Sequence, residues 1–262
     1  MKLVWTYNSN TSLKTGREYK ELLINYYIHS IRSAKGLGYY TKIYTNKESI
    51  SYFENEVDEI YEIESYEDSP MFDSFKFAVL EYEEGDYYLI DGDLILHSQL
   101  PELDYDVVFD SLEKQNWNVY HKAIIAVTNM SIKKDMDEWK RLNPPIPIFN
   151  CGLLRIRNLE FRKLYLDRWK LYNTYIKRNM SSIWNNEDDR EWVEPGINNI
   201  TAVGAQYLLT IVTLHHNISY SPIQPDLHML GKYYKHHSGM LKYNKPLVPN
   251  KVFEDKIIKS LI

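Results

Sequence analysis

Along the chain, short apolar runs alternate with longer segments whose apolar residues recur every three or four positions. That alternation predicts an α/β sheet with helices on its faces. Leu3 to Tyr7 predicts a first strand, closed by the polar turn Asn8-Ser9-Asn10. From Glu18 to Ala34 the apolar positions Leu22, Leu23, Tyr26, Tyr27 and Ile31 form a helical stripe, and Gly36 and Gly38 stop it. Tyr40 to Thr45 and Asp58 to Ile63 predict two further strands, and Phe72 to Tyr82 a helix with Phe75, Val79 and Tyr82 on one face. Gly85 breaks that helix before Tyr87-Tyr88-Leu89-Ile90, a buried strand running straight into Asp91-Gly92-Asp93.

The second half is more mixed. Val107 to Phe109 and Ile124 to Val127 predict strands, with a charged helix near Asp135 to Leu142. Asn143-Pro144-Pro145-Ile146-Pro147 is the clearest break. A strand from Ile148 to Ile156 follows, then a long helix from about Leu159 to Arg178 and a polar, acidic loop from Asn185 to Arg190. Ala202 to Leu214 predicts a helix and Ile218 to Tyr220 a short strand; the remainder is irregular until a small C-terminal helix. With no internal repeat in 262 residues, the pattern predicts one domain with two lobes, 1–93 and 94–262.

Composition narrows the function classes. Lys plus Arg are 31 and Asp plus Glu 36, a net charge of −5, which gives no general electrostatic footprint for nucleic acid. The single cysteine, Cys151, excludes an intrachain disulfide and any cysteine-based zinc site. The opening residues hold only a short apolar run, far below the roughly 18 needed for a membrane span, so the expectation is a soluble protein of a reducing compartment, the cytoplasm. Aromatic residues reach 14% of the chain, 23 of them tyrosine. Tyrosine suits stacking on sugars or bases, but a composition rich in Lys, Asn, Ile and Tyr also follows from AT-rich codons. That plainer cause accounts for most of it.

Three short segments carry candidate chemistry. Asp91-Gly92-Asp93 follows a buried strand, at the sheet edge where ligands of open α/β folds gather. Two carboxylates one residue apart can both reach a hard divalent cation, with glycine admitting a close backbone approach; the same three residues also make an ordinary acidic turn. His236-His237-Ser238-Gly239-Met240-Leu241-Lys242 combines an imidazole ligand, a glycine and a point charge suited to phosphate, and reads equally as a solvated basic loop. Phe149-Asn150-Cys151-Gly152 offers an amide to a polar ligand, or simply a buried turn.

In this order and spacing the three segments resemble the GT-A fold glycosyltransferases, closest to the retaining family eight that includes glycogenin and bacterial galactosyltransferases. Asp91-Gly92-Asp93 looks like that family's aspartate-x-aspartate (DXD) motif, Phe149-Asn150-Cys151-Gly152 like its phenylalanine-asparagine-small-glycine segment. His236, Gly239 and Lys242 match its closing histidine-x-x-glycine-x-x-lysine. The resemblance implies a Rossmann-like mixed sheet flanked by helices, with residues 1–93 as the nucleotide-binding lobe. Residues 94–262 would be the acceptor-side lobe, carrying the C-terminal metal and phosphate loop. It further implies that Asp91, Asp93 and His236 hold Mn2+ or Mg2+ on the diphosphate of a nucleotide sugar, that Gly92, Gly239 and Lys242 meet the same phosphates, and that Lys76 lies nearby. Thr6, Tyr7 and Asn8 would meet base and ribose, Tyr7 as a stacking face, while Asn150 would contact donor sugar or acceptor. Gln206 would face the reacting sugar.

The implied activity is transfer of a hexose from a nucleotide sugar, by default a UDP-sugar, to a glycan or protein acceptor. Retention at the anomeric carbon is inherited from the family, by a front-face route assisted by the leaving diphosphate. Two departures stand out: Ala205 occupies the place of the family's aspartate beside Gln206, and Lys242-Tyr243-Asn244 replaces lysine-proline-tryptophan. The Ala205 substitution keeps open a non-catalytic protein that binds a nucleotide sugar without turnover. A haloacid-dehalogenase-type phosphatase also has a strand ending in aspartate-x-aspartate, but there the motif opens the chain. The acidic stretch 187–191 with Trp184 and Trp192 could line an acceptor pocket or be a solvated loop with core anchors. His97 and the helix-end pair His215-His216 read as structural.

Overall fold

The computed structural model describes residues 1–9, 17–64, 74–113, 148–184, 204–224 and 233–236, with 17–22, 179–184 and His236 in backbone only. Strand β1 is Lys2–Tyr7, α1 Arg17–Gly36, β2 Tyr40–Thr45, α2 Ile50–Phe53, β3 Glu59–Glu62, α3 Ser74–Tyr82 and β4 Tyr87–Ile90. Next come β5 Leu94–Leu96, β6 Val107–Phe109, β7 Leu112–Glu113, β8 Ile148–Phe149, β9 Leu153–Ile156 and α4 Leu159–Trp184. Helix α5 spans 204–215, β10 is Tyr220–Pro222 and β11 Tyr234–His236.

Seven strands form one mixed sheet in the order β10-β6-β9-β4-β1-β2-β3, so strands from both halves of the chain share a single layer. β3, β2, β1 and β4 run parallel, as the apolar runs joined by helical segments require. β9 is antiparallel to both β4 and β6, and β10 is parallel to β6. β9 is therefore the one reversed strand of this sheet. The carboxyl ends of β1, β4, β6 and β10 and the amino end of β9 all open on the same edge. In such sheets that edge is where ligands bind.

The two faces of the sheet are filled differently. Residues alternate across β1, so Leu3, Trp5 and Tyr7 pack with Ile24 and Ile31 of α1, while Val4 faces α3 and α4. On the latter face Phe161, Tyr165, Trp169, Tyr172 and Ile176 follow the helical period along α4, and Trp169 stacks on Phe77 at 3.8 Å. α4 begins at Leu159 because the Asn158 side chain accepts the Phe161 amide at 3.0 Å, capping the first turn. α1 ends where Gly38 takes φ +82°, a conformation that favours glycine. Among the described residues no helix is long and apolar enough to cross a membrane.

Several elements differ from the sequence expectation. The strand expected from Ile148 to Ile156 is two strands, because Asn150, Cys151 and Gly152 turn the chain between them. Leu94–Leu96 and Tyr234–His236, not expected as strands, pair with each other beside the main sheet. They are three residues each, too short to carry a periodic signal. The short strand expected at 218–220 lies at Tyr220–Pro222, and a turn of 3-10 and α helix over Lys47–Phe53 was not anticipated. The expected strand at Ile124 to Val127, the charged helix at Asp135 to Leu142, the proline break at 143–147, the loop at 185–190 and the C-terminal helix lie outside the described residues.

Candidate functional site

The acidic turn sits at the end of β4, in the middle of the sheet edge. The Asp91 amide donates to the Gly152 carbonyl at 2.7 Å, which ties the turn to the Asn150–Gly152 loop on neighbouring β9. Asp91 is half-buried, and its carboxylate is ion-paired with the Lys76 ammonium at 2.5 Å. Lys76 projects from α3, whose other residues around it are buried. Asp93 lies beside Tyr26 of α1: burial, reinforced by the Asp93 charge, pushes the Tyr26 phenol up to about 12.

Gly92 is fixed by packing. A Cβ there would fall inside the ring of Tyr27, so only glycine lets the turn lie on α1. The Tyr27 hydroxyl donates to the Thr6 carbonyl at 2.8 Å, and its ring meets Tyr7 edge-on at 5.2 Å. One helix residue thus joins the end of β1 to the acidic turn. Tyr7 itself is 2% exposed, packed on Tyr27 and Phe53, so its ring belongs to the core where an open stacking face was expected. Thr6 and Asn8 are half-buried at the same strand end.

β5 follows the turn directly, and β11 pairs with it antiparallel, placing His236 opposite Leu94, one residue beyond Asp93. Asn150 is buried. Its side-chain oxygen accepts the Gly152 amide at 2.8 Å and its amide group donates to Glu113, so it shapes the loop that meets Asp91. Gln206 is half-buried on α5, and its carbonyl accepts the Thr210 hydroxyl at 2.9 Å. Thr210 Oγ1 in turn accepts the Phe149 amide at 3.0 Å, placing that helix one residue from Asn150. Ala205 is buried, its carbonyl held by the Tyr165 hydroxyl at 3.0 Å. The structure therefore gathers Thr6, Tyr7, Asn8, Lys76, Asp91, Gly92, Asp93, Asn150 and the backbone of His236 along one edge. Gly239, Lys242, Trp192 and the acidic stretch 187–191 lie outside the described residues.

Sequence inspection passed over Tyr26 and Tyr27, which it counted only as helix-stripe positions. It also missed a polar cluster at the end of β6. Asp110 is fully buried there and takes hydrogen bonds from Tyr234 (2.7 Å) and Gln224 (3.3 Å), with buried Ser111 next to it. The available signal was an apolar strand ending in an acid, Val107-Val108-Phe109-Asp110, the same grammar as the end of β4.

Asp91 and Asp93 are hard oxygen donors of the kind Mn2+ and Mg2+ take, and the Lys76 ammonium partly neutralises the Asp91 carboxylate. Among the described residues no three His, Cys, Asp or Glu side chains come together as a metal cluster. The backbone register of β11 places His236 opposite Leu94, next to the acidic turn.

No protein-family model matches the sequence, and no curated protein matches it. Among solved structures the chain is similar to the galactosyltransferase LgtC in complex with donor and acceptor sugar analogs, at 10% identity and TM-score 0.41, over 79% of this chain and 70% of that one. It is also similar to mouse xyloside xylosyltransferase 1 in its apo form, at 10% identity and TM-score 0.43, over 84% of each chain. A third likeness is to the glycosyltransferase GlyE of Streptococcus pneumoniae TIGR4, at 10% identity and TM-score 0.37, over 84% of this chain but 44% of that one. These are likenesses of chain path, and at such scores they assign no chemistry.

Proposed function

We propose that this chain is a metal-dependent glycosyltransferase that moves a hexose from a nucleotide sugar, a UDP-sugar by default, to a hydroxyl of a glycan or protein acceptor, with retention at the anomeric carbon. One observation carries the reading: two segments far apart in sequence, and the first residue of a third, each resembling part of a motif of one glycosyltransferase family, come together at one sheet edge. The acidic turn is hydrogen-bonded to the Asn150–Gly152 loop and lies beside the strand that carries His236.

Asp91, Asp93 and His236 would hold Mn2+ or Mg2+, which supplies Lewis-acid neutralisation of a departing diphosphate. Lys76 adds a second positive charge at the same carboxylate and would meet the phosphates, with Gly239 and Lys242 completing the loop around them. At the end of β1 the half-buried Thr6 and Asn8 would meet ribose and base. Asn150 orients the loop facing the donor sugar, and Gln206 would sit one helical turn from it. The front-face route, assisted by the leaving diphosphate, is the one the family resemblance carries; Glu113, which accepts from the Asn150 amide, is the carboxylate to mutate in testing it.

The test is thermal stability with UDP, GDP and a panel of their sugars, each with and without Mn2+. A ligand at a hundred times its dissociation constant stabilises the fold by about 2.7 kcal/mol. The expected result is a shift that requires one nucleotide and the metal together, followed by release of free nucleotide when an acceptor sugar is added. No shift with any nucleotide would overturn the reading. A shift without nucleotide release would leave a binding protein in place of an enzyme.

A further inference from the structure

β11 is three residues long, and among the described residues its strand partner is β5, itself three residues. Such a ladder is too short to set its own register firmly. Both strands are nevertheless pinned from outside. β5 is latched to α1: the Ser30 hydroxyl donates to the Leu94 carbonyl at 2.6 Å while accepting the Trp5 indole at 2.9 Å, and the Leu96 amide donates to Ser33 Oγ at 3.0 Å. β11 is latched through Tyr234. Its side chain is fully buried, and its hydroxyl donates to Asp110 Oδ1 at 2.7 Å, with the Asp110 carbonyl at 3.3 Å. The same carboxylate oxygen accepts Gln224 Nε2 at 3.3 Å, and the Gln224 amide donates to the Asp110 carbonyl at 3.0 Å.

We propose that Tyr234 and Asp110 form a positioning pair that holds β11 in register against β5 and so sets the backbone of His236 beside the Asp91-Gly92-Asp93 turn. The inference rests on the reading that these three residues hold a divalent cation. A slip of one residue along so short a ladder would carry His236 past Leu94 and off the turn. The Tyr234–Asp110 bond opposes that slip, because a buried phenol must keep a partner and Asp110, the residue after β6, is held in place by backbone bonds to Asn150 and Gln224. Cation affinity at the end of β4 then depends on a hydrogen bond made at the end of β6.

The experiment titrates Mn2+ into the full chain and follows the free-ion signal by electron paramagnetic resonance, alongside the circular dichroism melting curve without metal. Tyr234→Phe is expected to weaken Mn2+ binding about 10-fold, the scale of losses when support behind a ligand is removed. Asp110→Ala should match it, while Asp110→Asn, which keeps an oxygen to accept the phenol, should retain most of the affinity. Tyr44→Phe is the control: Tyr44 is also buried and donates to a carboxylate, Glu83 at 2.7 Å, but on the other face of the sheet. It should lower the melting temperature and leave Mn2+ affinity alone. Unchanged affinity in Tyr234→Phe, an equal loss in Tyr44→Phe, or no difference between Asp110→Ala and Asp110→Asn would overturn the proposal. If Tyr234→Phe fails to fold, the two Asp110 variants decide. Absence of Mn2+ binding by the unmodified chain would instead overturn the metal reading itself.

Discussion

Gly92 and Tyr27 illustrate how single side chains set the site. The ring of Tyr27 occupies the space a Cβ at position 92 would need, and the ring cannot retreat without breaking its hydroxyl bond to Thr6 and its edge contact with Tyr7. Gly92→Ala should therefore cost about 1–3 kcal/mol, as overpacking of a tight contact does. In a Tyr27→Leu background the same change should cost less than about 1 kcal/mol, since the atoms that clash are gone. Urea denaturation of the four proteins of this cycle measures the difference. Equal costs in both backgrounds would mean that the turn moves instead of the ring. The sequence placed Gly92 correctly as the residue between two acids, and assigned its small size to the approach of a cation. The structure gives a different reason, contact with a helix some sixty-five positions earlier, which no local pattern could reveal.

At the scale of elements, β1, β2 and α3 are joined at a buried charge cluster. Glu83, just past α3, is 3% exposed and takes Lys2 from β1, Lys42 from β2 at 2.8 Å and the Tyr44 hydroxyl at 2.7 Å. Burial alone would raise the Glu83 carboxyl, but the hydrogen bonds from Lys2, Lys42 and Tyr44 outweigh it and hold the group below its ordinary 4.5. The sign follows from linkage: a depressed carboxyl contributes stability above its unfolded value, and that contribution is lost as pH falls below about 4.5 through the folded value. Glu83→Gln should cost about 1–3 kcal/mol at neutral pH, because Lys2 and Lys42 lose their shared buried anion while Lys42 keeps the more exposed Glu59 at 2.8 Å, and should flatten the acid limb of a stability–pH curve. A variant as acid-labile as the parent would remove Glu83 from that limb. The long elements around this cluster were legible because their signals are local: the α1 stripe, the glycine stop at Gly38, the apolar run of β4. What escaped were the three-residue strands β5 and β11 and the split between β8 and β9, whose existence depends on partners far along the chain.

For the molecule as a whole, the decisive fact is that the acidic turn and the Asn150–Gly152 loop meet at one edge of the main sheet, with the backbone of His236 on the short ladder beside them. The sequence supplied the segments and their order; it could not supply the reversed strand β9, which inserts between β4 and β6 and brings Asn150 to Asp91. It was equally silent on Asp110, Gln224 and Tyr234, which are ordinary residues until β6, β10 and β11 are laid side by side. One more consequence follows from the short ladder of β7 and β8, where Leu112 faces Phe149 and Glu113 faces Ile148. Glu113 and Ile148, the described residues on either side of 114–147, are paired neighbours next to the Glu113–Asn150 contact. Closing such a gap with a brief turn costs little chain entropy, since the ends already touch. A chain in which a two-residue hairpin turn replaces residues 114–147 should therefore still fold, and on the proposed function it should still bind UDP and Mn2+, since every described residue assigned to the donor side lies outside that span. A single cooperative urea transition reads the first and calorimetric titration the second; loss of nucleotide binding in a folded chain would show that the replaced span contributes to the donor side. Two residue pairs hold the ends of that span together, so the length of what lies between them can change while the distance the fold has to close stays the same.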